Sequence, residues 1–307
     1  MNLQFSVVTP SFRQGRFIER TIQSVLCQEV DDMEYMICDG GSEDETISIL
    51  NKYNSQLRWI SEPDQGQSDA INKGIAMTTG EIIAWINSDD IYYPGTFKIV
   101  KQVFENNSDV QVIYGNANWI DEFDKIIQPF PTEPWNYQRL KETCYVCQPA
   151  VFFRRTLVEK LGNLDISLNY CMDYELWLRY GEHHKFKYIT HTFAGSRMYS
   201  SNKTLGSRLV AHREITDMFQ NKFRRIPDSW LLGYALVKVE ETTNLNRFND
   251  SQLKDFSKAL IQTTLLEYKT KKKFISPLII AKMVFWWFFP KLSWFRRTKW
   301  PNAESNN

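Results

Sequence analysis

The sequence lacks several features that would place it in a well-known class of protein. It has 5 cysteines in 307 residues, and no second pair follows Cys144 and Cys147 at the spacing of a zinc site. We therefore expect free thiols in a reducing compartment, with a redox or metal role for that pair as the alternative. No apolar run reaches the roughly 20 residues that a membrane-spanning helix needs. The formal net charge is +1, which excludes a global basic field for nucleic acid.

The amino terminus also lacks the pattern of a secretory signal. Residues 1–6 contain neither a basic region nor an apolar core, and they lead directly into a strand-like stretch. The sequence therefore predicts a fold that starts at residue 1 and a protein that stays in the cytosol. With 43% hydrophobic and 24% charged residues, we expect a sizeable core in one large domain, or in a catalytic domain with an appendage.

Strand-like and helix-like patterns alternate through the first part of the chain. Short apolar runs end in polar residues, and apolar residues recur at helical spacing between them. Ser42 followed by Glu45 has the pattern of a capping box, and Pro94 suits the first turn of a helix. The predicted strands are 5–8, 35–38, 57–60, 81–86 and 110–114, and the predicted helices include 17–26 and 67–77. This order predicts an α/β fold with a doubly wound, mostly parallel sheet flanked by helices.

Three short polar segments follow three of the predicted strands. They are Thr9-Pro10-Ser11, Asp39-Gly40-Gly41 and Ser88-Asp89-Asp90. In a doubly wound sheet, ligands bind beyond the carboxyl ends of the strands. Because parallel strands end at the same edge, we expect the three segments to converge on one crevice, and the sequence predicts a ligand site there.

The segment Asn87-Ser88-Asp89-Asp90 indicates a metal site. Two adjacent carboxylates after a buried strand are costly unless a partner offsets their charge. Oxygen ligands on a loop suit Mg²⁺ or Mn²⁺, which take waters and phosphate oxygens as their other ligands. Such an ion can neutralise a leaving diphosphate. The alternative is a solvated turn that caps the next helix through Asp90.

Five segments, taken together, resemble family 2 of the inverting glycosyltransferases with the GT-A fold. Each segment is weak by itself, but five in order over about residues 3–205 form a specific pattern. The segments are Ser6–Phe12, Ile37–Ser42, Asp64–Gly74, Asn87–Asp90 with Tyr93-Pro94-Gly95, and Met172–Arg179. The resemblance implies an enzyme that transfers a sugar from a nucleoside-diphosphate sugar, with UDP as the expected nucleotide, to a glycan or lipid-linked acceptor. The resemblance also implies a role in the assembly of bacterial surface polysaccharides.

The resemblance also implies roles for residues that would bind the donor. Asp39 would accept a hydrogen bond from the base, although an aspartate before two glycines also suits a turn. Asp69 and Lys73 would lie near the ribose and the donor sugar or phosphates, although their spacing also fits a surface ion pair on a helix. The remaining donor-binding residues implied by the resemblance are Thr9, Pro10, Ser11, Asn87 and Ser88.

Asp89 matches the metal-binding aspartate of the family. The acid that precedes it in the family is replaced here by Asn87, which can bind a ribose hydroxyl but adds no charge. The resemblance therefore implies that the binding of Mn²⁺ or Mg²⁺ depends mainly on Asp89, with Asp90 as a helper.

Asp173 matches the catalytic base, and Met172 stands where the family often has glutamate. In an inverting mechanism, one carboxylate takes the proton from the acceptor hydroxyl as its oxygen attacks the anomeric carbon. No second carboxylate is needed, unlike in a glycoside hydrolase, because the metal carries the charge of the leaving group. The alternative is a helix face of ion pairs, and we expect Glu175 and Arg179 to form one.

The segment that begins at Arg197 falls where relatives carry a loop that contacts the diphosphate. The resemblance implies that Arg197 or Lys203 touches phosphate and that Tyr199 replaces a frequent histidine. Prolines at 129, 131 and 134 predict an irregular stretch over 115–150. We expect a catalytic domain over 1–205, with a nucleotide-sugar half (1–115) and an acceptor half (116–205), followed by a helical region over 206–307.

A basic and aromatic segment occupies residues 269–300. Lysines precede an apolar run over 274–289, which Pro277 and Lys282 interrupt. The run is short for a span, whereas basic clusters with Trp and Phe fit an interfacial helix on an anionic leaflet. We expect peripheral attachment at the inner face of the cell membrane. Packing on the catalytic domain, dimerisation and a true span are the alternatives, and the oligomeric state stays open.

Three other functions fit the sequence less well. A nucleotidyltransferase would favour a glycine-rich basic loop after the first strand, and residues 10–15 contain one glycine. A non-catalytic nucleotide-sugar-binding protein would not need both Asp89 and Asp173. A dinucleotide-binding dehydrogenase would need G-x-G-x-x-G after the first strand, which is missing. The donor sugar, the acceptor and the linkage cannot be read from the motifs.

Overall fold

The chain forms two compact units. The computed structural model describes residues 3–200, 202–272 and 274–297, without the side chains of residues 204, 205 and 297. The first unit is Met1–Tyr199 and the second unit is Ser200–Asn307. This boundary lies a few residues before the predicted one. The first unit contains the sheet, and the described part of the second unit is helical.

The first unit is built on one mixed β-sheet flanked by helices. Its strands are β1 (Phe5–Ser11), β2 (Met33–Asp39), β3 (Arg58–Ser61), β4 (Ile82–Trp85), β5 (Ile91–Tyr92), β6 (Val112–Ile120), β7 (Ile126–Pro129), β8 (Val151–Arg154) and β9 (Lys187–Arg197). Its helices are α1 (Ile18–Leu26), α2 (Thr46–Lys52), α3 (Gln67–Ala76), α4 (Thr96–Asn106), α5 (Tyr137–Glu142), α6 (Arg155–Leu161) and α7 (Met172–His183).

The strand order in this sheet is β3-β2-β1-β4-β8-β6-β9-β5, with β7 paired to β6. Strands β3, β2, β1 and β4 pair in parallel, as do β6 and β9. Strand β8 enters between β4 and β6 in the opposite direction, and β5 is antiparallel to β9. The α/β fold is confirmed, but parallel pairing is concentrated in the first four strands instead of extending through most of the sheet.

Apolar side chains explain how the strands and helices pack. Phe5 of β1, Phe97 of α4 and Phe152 of β8 are fully buried, with ring centroids 4.8 Å apart for Phe5 and Phe97 and 5.3 Å apart for Phe97 and Phe152. Such rings bury much apolar surface. Gly74 of α3 lies so close to β1 that a Cβ atom would be 2.4 Å from Val8 Cγ1. A glycine at this position therefore lets α3 pack directly on the parallel strands.

Two local predictions are wrong. Ser42 does not cap a helix, because α2 begins at Thr46 and Glu45 occupies its N-cap position. The Ser42 hydroxyl instead donates to Asp39 Oδ1 at 2.6 Å, and its oxygen accepts from the backbone nitrogen of Arg13 at 2.6 Å, so residues outside the helix use the oxygen that would have capped it. The stretch 115–150 is also more regular than predicted, since it contains most of β6, β7 and α5. The three prolines lie at the end of β7 or after it, where they interrupt no element.

The second unit consists of helices in its described residues. They are α8 (Lys203–Gly206), α9 (Arg208–Met218), α10 (Asp228–Thr242), α11 (Leu253–Glu267), α12 (Pro277–Phe288) and α13 (Trp294–Arg297). Helix α10 packs against α9 and α11, and Glu240 pairs with Arg208 at 2.7 Å and with Arg247 at 2.8 Å. Within the described ranges, no helix is long and apolar enough to cross a membrane.

Candidate active site

The carboxyl ends of β1, β2 and β4 lie at one edge of the sheet. Ser11 at the end of β1 pairs with Asp39 at the end of β2, and Val8 pairs with Trp85 at the end of β4. The predicted polar segments therefore meet at this edge. Ser11 Oγ is buried there without a hydrogen-bond partner among the described residues. A buried hydroxyl of this kind is available to a ligand.

The neighbours of Ser11 on β1 are enclosed by the sheet. Pro10 is buried. Thr9 has no exposed surface, and its hydroxyl lies 3.2 Å from the Tyr35 hydroxyl. Of the three residues predicted to line the nucleotide pocket, Ser11 is therefore the one whose side chain offers an unsatisfied polar atom.

Asp39 organises the turn that follows β2. It is 2% exposed, and its Oδ2 accepts hydrogen bonds from the backbone nitrogens of Gly41 and Ser42 at 3.1 and 2.8 Å and from Ser61 Oγ at 2.7 Å. Its Oδ1 accepts from Ser42 Oγ. A carboxylate oxygen has two lone pairs. The turn-forming role is therefore observed, and Oδ1 retains acceptor capacity for a further donor.

An exposed aromatic ring, Phe12, lies beside this turn. Phe12 is 54% exposed. A Cβ atom on Gly40 would lie 3.3 Å from the Phe12 ring and 2.8 Å from Asp64 Oδ2, so the ring and the carboxylate both lie close to this glycine. An exposed ring beside polar groups is a surface on which a base can stack. Sequence reasoning did not assign Phe12 a role, although an aromatic residue directly after a polar strand end was the available signal.

Asp69 and Lys73 form the ion pair that their spacing predicts. Lys73 Nζ lies 3.4 Å from Asp69 Oδ2 and 3.1 Å from Glu62 Oε1. Asp69 Oδ2 also accepts from the backbone nitrogen of Gln65 at 3.0 Å. The surface ion pair is thus observed, and contact with a donor stays a prediction.

Asn87 and Ser88 shape the loop after β4. Asn87 Oδ1 accepts from Gln67 Nε2 at 2.7 Å and from Trp85 Nε1 at 3.0 Å. Ser88 is buried, and its carbonyl oxygen accepts from the Thr21 hydroxyl at 2.9 Å. Sequence reasoning gave neither Gln67 nor Thr21 a role in the site, because only the packing of α3 and α1 brings them to this loop.

Asp89 and Asp90 differ in burial and in the hydrogen bonds that they accept. Asp89 is half-buried, and its Oδ2 accepts from the Tyr199 hydroxyl at 2.9 Å. Asp90 is buried, and its Oδ1 accepts from the backbone nitrogen of Arg197 at 2.8 Å while Oδ2 accepts from Asn87 Nδ2 at 3.4 Å. Asp90 does not cap the next helix, because α4 begins at Thr96 with Gly95 at its N-cap. Asp89 is therefore the more accessible carboxylate.

The two carboxylates are unfavourable as a pair of negative charges. Burial raises the pKa of Asp89, and burial together with the charge of Asp89 raises the pKa of Asp90 well above its usual range. A nearby cation would favour the ionised forms, which fits the predicted metal. In the part of the chain that the structure describes, no group of three or more candidate ligands occurs. A bound ion would therefore take most of its ligands from water or phosphate.

Arg197 supports this loop from inside the protein. Its side chain has no exposed surface and pairs with Asp124. The guanidinium donates to the carbonyl oxygens of Asp89 and Asp121, both at 2.6 Å, and lies 4.9 Å from the Phe17 ring. The structure thus gives Arg197 a supporting position behind the carboxylate loop, because protein acceptors enclose the guanidinium that was predicted to contact phosphate.

Tyr199 joins the loop to the end of the first unit. Its ring lies 4.9 Å from that of Phe17, and burial raises the pKa of its hydroxyl, so the hydroxyl keeps the proton that it donates to Asp89. This contact explains what the tyrosine does at a position where the resembling family often has histidine. Lys203, the other predicted phosphate contact, is exposed on α8 of the second unit.

Asp173 lies in the first turn of α7 and is half-buried. Helix α7 packs on β8, where the rings of Trp177 and Phe153 have centroids 6.0 Å apart. Strand β8 pairs with β4, and Gln148 Nε2 donates to the carbonyl oxygen of Trp85, at the end of β4, at 2.7 Å. The helix that carries the predicted base therefore packs on the neighbour of the strand that leads into the predicted metal loop.

The thiols of Cys144 and Cys147 are poorly suited to the redox or metal role that the sequence left as an alternative. All five cysteines are free. Burial raises the pKa of Cys144 as well as that of Cys147. A thiolate is the form that reacts and binds metals, so the protein disfavours that form at both positions.

Hydrogen bonds anchor the loop before α7 on both sides. Asn72 Nδ2 of α3 donates to the carbonyl oxygen of Leu164 at 2.9 Å. Arg179 Nη2 of α7 donates to the carbonyl oxygen of Asn163 at 2.8 Å, and it forms the predicted ion pair with Glu175 at 2.9 Å. Helices α3 and α7 are therefore both bonded to the loop between α6 and α7.

Parallel strands that end in polar loops, a carboxylate loop after β4 and a carboxylate on α7 together define the class of glycosyltransferases with the GT-A fold. The chain belongs to Glycosyl transferase family 2, whose sequence profile matches residues 6–162, just over half of the chain. The predicted family, fold and enzyme class are thereby confirmed.

Two solved structures show the same fold. TarS of S. aureus (residues 1–349), in complex with UDP-GlcNAc, has a TM-score of 0.58 at 15% identity, over 94% of this chain and 87% of that chain. The mannosyltransferase PcManGT of Pyrobaculum calidifontis, in complex with GDP-Man and Mn²⁺, has a TM-score of 0.58 at 15% identity, over 97% and 83%. At this identity the likeness shows the fold.

Relatives by sequence are similarly distant. Chondroitin synthase of Escherichia coli is 23% identical over 245 residues, which are 78% of this chain and 35% of that protein. An uncharacterized glycosyltransferase of Nostoc sp. is 29% identical over 176 residues, which are 53% of this chain and 54% of that protein. The chain thus spans about a third and about half of the length of these two relatives.

Proposed function

We propose that the chain is an inverting glycosyltransferase that transfers a sugar from a nucleoside-diphosphate sugar, with UDP as the expected nucleotide, to a hydroxyl of a glycan or lipid-linked acceptor. The observation that carries this proposal is that the carboxylate loop follows β4 at the sheet edge where β1 and β2 end, beside the buried Ser11 hydroxyl that has no partner among the described residues. Polar groups suited to a nucleoside and a loop that favours a cation thus lie at the same edge. The nucleotide sugars bound in the TarS and PcManGT structures support the class of donor.

The nucleotide binds at the ends of β1 and β2 in this proposal. The base stacks on the exposed Phe12 ring and donates a hydrogen bond to Asp39 Oδ1, which retains acceptor capacity. The unpaired hydroxyl of Ser11 satisfies a polar atom of the nucleoside. Asp69 and Lys73 contact the ribose and the donor sugar or phosphates, and Lys73 then exchanges its ion pair for a phosphate.

Asp173 performs the acid–base chemistry. Its carboxylate accepts the proton of the acceptor hydroxyl while that oxygen bonds to the anomeric carbon. The bond from that carbon to the diphosphate oxygen breaks, and its electron pair leaves with the nucleoside diphosphate. Attack opposite the leaving group inverts the anomeric centre. The position of Asp173 in the first turn of α7 suits this role, because the positive end of the helix dipole stabilises a carboxylate anion.

The proposed metal is Mn²⁺ or Mg²⁺, held mainly by Asp89 with Asp90 as a helper. When bound, the ion supplies positive charge for the leaving diphosphate. Asp89 suits direct coordination, because Asp90 is more deeply buried and both of its oxygens accept hydrogen bonds. The Mn²⁺ bound in PcManGT supports this assignment. A lipid-linked acceptor would place the reaction at the cytoplasmic face of the cell membrane, which is the location we propose.

The test is a panel of nucleotide sugars incubated with the full chain and Mn²⁺ or Mg²⁺. We expect one donor to raise the thermal unfolding temperature, because a ligand that binds the folded state stabilises it. With acceptor present, that donor should release free nucleoside diphosphate in a metal-dependent reaction. Pyrophosphate release from a nucleoside triphosphate and a sugar phosphate would instead indicate a nucleotidyltransferase. Binding without transfer to any acceptor would indicate a binding protein.

A further inference from the structure

Helix α12 in the second unit leaves most of its apolar residues exposed. Its buried residues form one narrow stripe, Ile279, Met283 and Trp286. This stripe packs on α11, where Ser257 Oγ donates to the carbonyl oxygen of Trp286 at 2.7 Å. The apolar residues of this segment that remain exposed are Phe274, Leu278, Ile280, Val284, Phe285, Trp287, Phe288, Phe289 and Leu292.

No charged residue lies among the apolar side chains that α12 directs away from its buried stripe. At about 100° per residue, the side chains of Leu278, Val284, Phe285 and Phe288 project away from the buried stripe. Lys282, the charged residue of the helix, lies beside the buried stripe instead. Phe288 is 67% exposed and Leu278 is 65% exposed. We call this surface, formed by Leu278, Ile280, Val284, Phe285 and Phe288, the α12 face. Five exposed apolar side chains on one side of a helix mark an interaction surface.

The charge of the sequence that contains α12 indicates what kind of surface the α12 face fits. Residues 200–307 contain 19 basic and 9 acidic residues, so this part of the chain has a formal net charge of +10. Residues 269–300 contain nine basic residues and no acidic residue. Ion pairs with Asp217, Asp228 and Asp250 engage some of these lysines and arginines, but the excess of positive charge remains.

We propose that the α12 face inserts into the interface of an anionic lipid bilayer. Phe285 and Phe288 enter the boundary between headgroups and acyl chains, while the surrounding lysines and arginines attract the anionic headgroups. A second copy of this chain is a poorer occupant, because it would bring two strongly basic surfaces together. The proposal deepens the location given under the proposed function, but it does not depend on the chemistry of the first unit.

The test is flotation of the purified full chain with lipid vesicles. We expect the chain to float with vesicles of phosphatidylcholine mixed with phosphatidylglycerol and to bind vesicles of phosphatidylcholine alone at least about tenfold more weakly. Added salt should weaken the binding, because it screens attraction to the headgroups. The double variant F285S/F288S should bind the anionic vesicles at least about tenfold more weakly. It should fold normally, since both rings are exposed.

A matched control is V210S/F248S, which removes two apolar side chains of the second unit that are 49% and 48% exposed and lie outside α12. It should bind like the unmodified chain, and so should D173N, which separates membrane binding from catalysis. Equal binding of F285S/F288S and the unmodified chain would overturn the proposal. The proposal also fails if the unmodified chain does not float, or if it forms a dimer that F285S/F288S dissociates while vesicles bind neither protein.

Discussion

The two units of this chain differ sharply in charge. Residues 1–199 contain 18 basic and 27 acidic residues, whereas residues 200–307 contain 19 and 9. In the first unit, acidic side chains stand at strand ends and in the loop after β4, where burial raises the pKa of Asp89 and Asp90. In the second unit, ion pairs such as Lys238 with Glu267 at 2.8 Å connect helices and leave a basic excess.

This difference shows that a nearly neutral chain can contain two strongly charged parts with different requirements. The first unit carries carboxylates that gain from a cation, and its buried Arg197 supports a loop instead of meeting solvent. The second unit carries positive charge beside exposed apolar side chains. The predictions below test whether the carboxylates and cations of the first unit have the separate roles that this comparison gives them.

The largest effect is expected for Asp173→Asn. The amide cannot accept the proton of the acceptor hydroxyl, so transfer should fall by about 100- to 10,000-fold. Donor binding should be retained, because asparagine has nearly the same shape as aspartate and differs mainly in its basicity. Initial rates and donor titrations measure the two quantities. Glu182→Gln on the exposed end of α7 is the control and should keep its rate. Transfer by Asp173→Asn at the unmodified rate would disprove the base assignment.

The next largest effect is expected for Asp89→Asn. The variant loses the more accessible carboxylate charge of the loop, so Mn²⁺-dependent donor binding should weaken by at least about 100-fold. Isothermal titration of donor with and without Mn²⁺ measures this effect. Asp109→Asn changes an exposed aspartate of the same unit and should bind normally. Unchanged metal-dependent binding by Asp89→Asn would refute the metal assignment.

A stability effect should follow from Arg197→Met. The variant removes one of the two cations that pair with Asp124 and leaves two carbonyl oxygens without their donor, which should cost about 2–3 kcal/mol of unfolding free energy. Urea unfolding followed by tryptophan fluorescence provides the measurement. Arg13→Met, which removes a side chain that is 61% exposed, should cost little. If Arg197→Met is fully stable and loses only donor affinity, Arg197 contacts phosphate as the sequence suggested.

The smallest effect is expected for Tyr199→Phe. Losing the hydrogen bond to Asp89 Oδ2 frees the carboxylate to rotate, so Mn²⁺ affinity should fall by about tenfold. Electron paramagnetic resonance of free Mn²⁺ reports this affinity without requiring turnover. Tyr188→Phe removes a hydroxyl of β9 that bonds to Asn116 of β6 and serves as the control. Equal Mn²⁺ affinities of the two variants would remove Tyr199 from the site.

Local patterns predicted the first four strands and the helices between them, because each has a clear apolar period and ends at polar residues. The same patterns failed where long-range contacts compete with local ones. Ser42 has the sequence of a helix cap, yet its oxygen accepts from the backbone nitrogen of Arg13 while its hydroxyl donates to Asp39. Prolines at 129, 131 and 134 predict an irregular stretch, yet β6 and β7 pair because Pro129 is the last residue of β7 and the other two follow it.

The candidate site divides in the same way. Motif spacing identified Asp39, Asp89 and Asp173, because each stands in a short segment with its own pattern. It could not show that Thr21, Gln67 and Tyr199 bond to the loop after β4, since these contacts join residues that are far apart in sequence. It also placed Arg197 among phosphate contacts, whereas the folded chain surrounds its guanidinium with protein oxygens.

By itself, the sequence determined the fold class, the family and the order of the polar strand ends, because these depend on local periodicity and on motifs along the chain. Only the tertiary structure decided which carboxylate is accessible, which cation is enclosed and which side of α12 faces outward. Those outcomes depend on burial, and burial is a property of how distant segments pack.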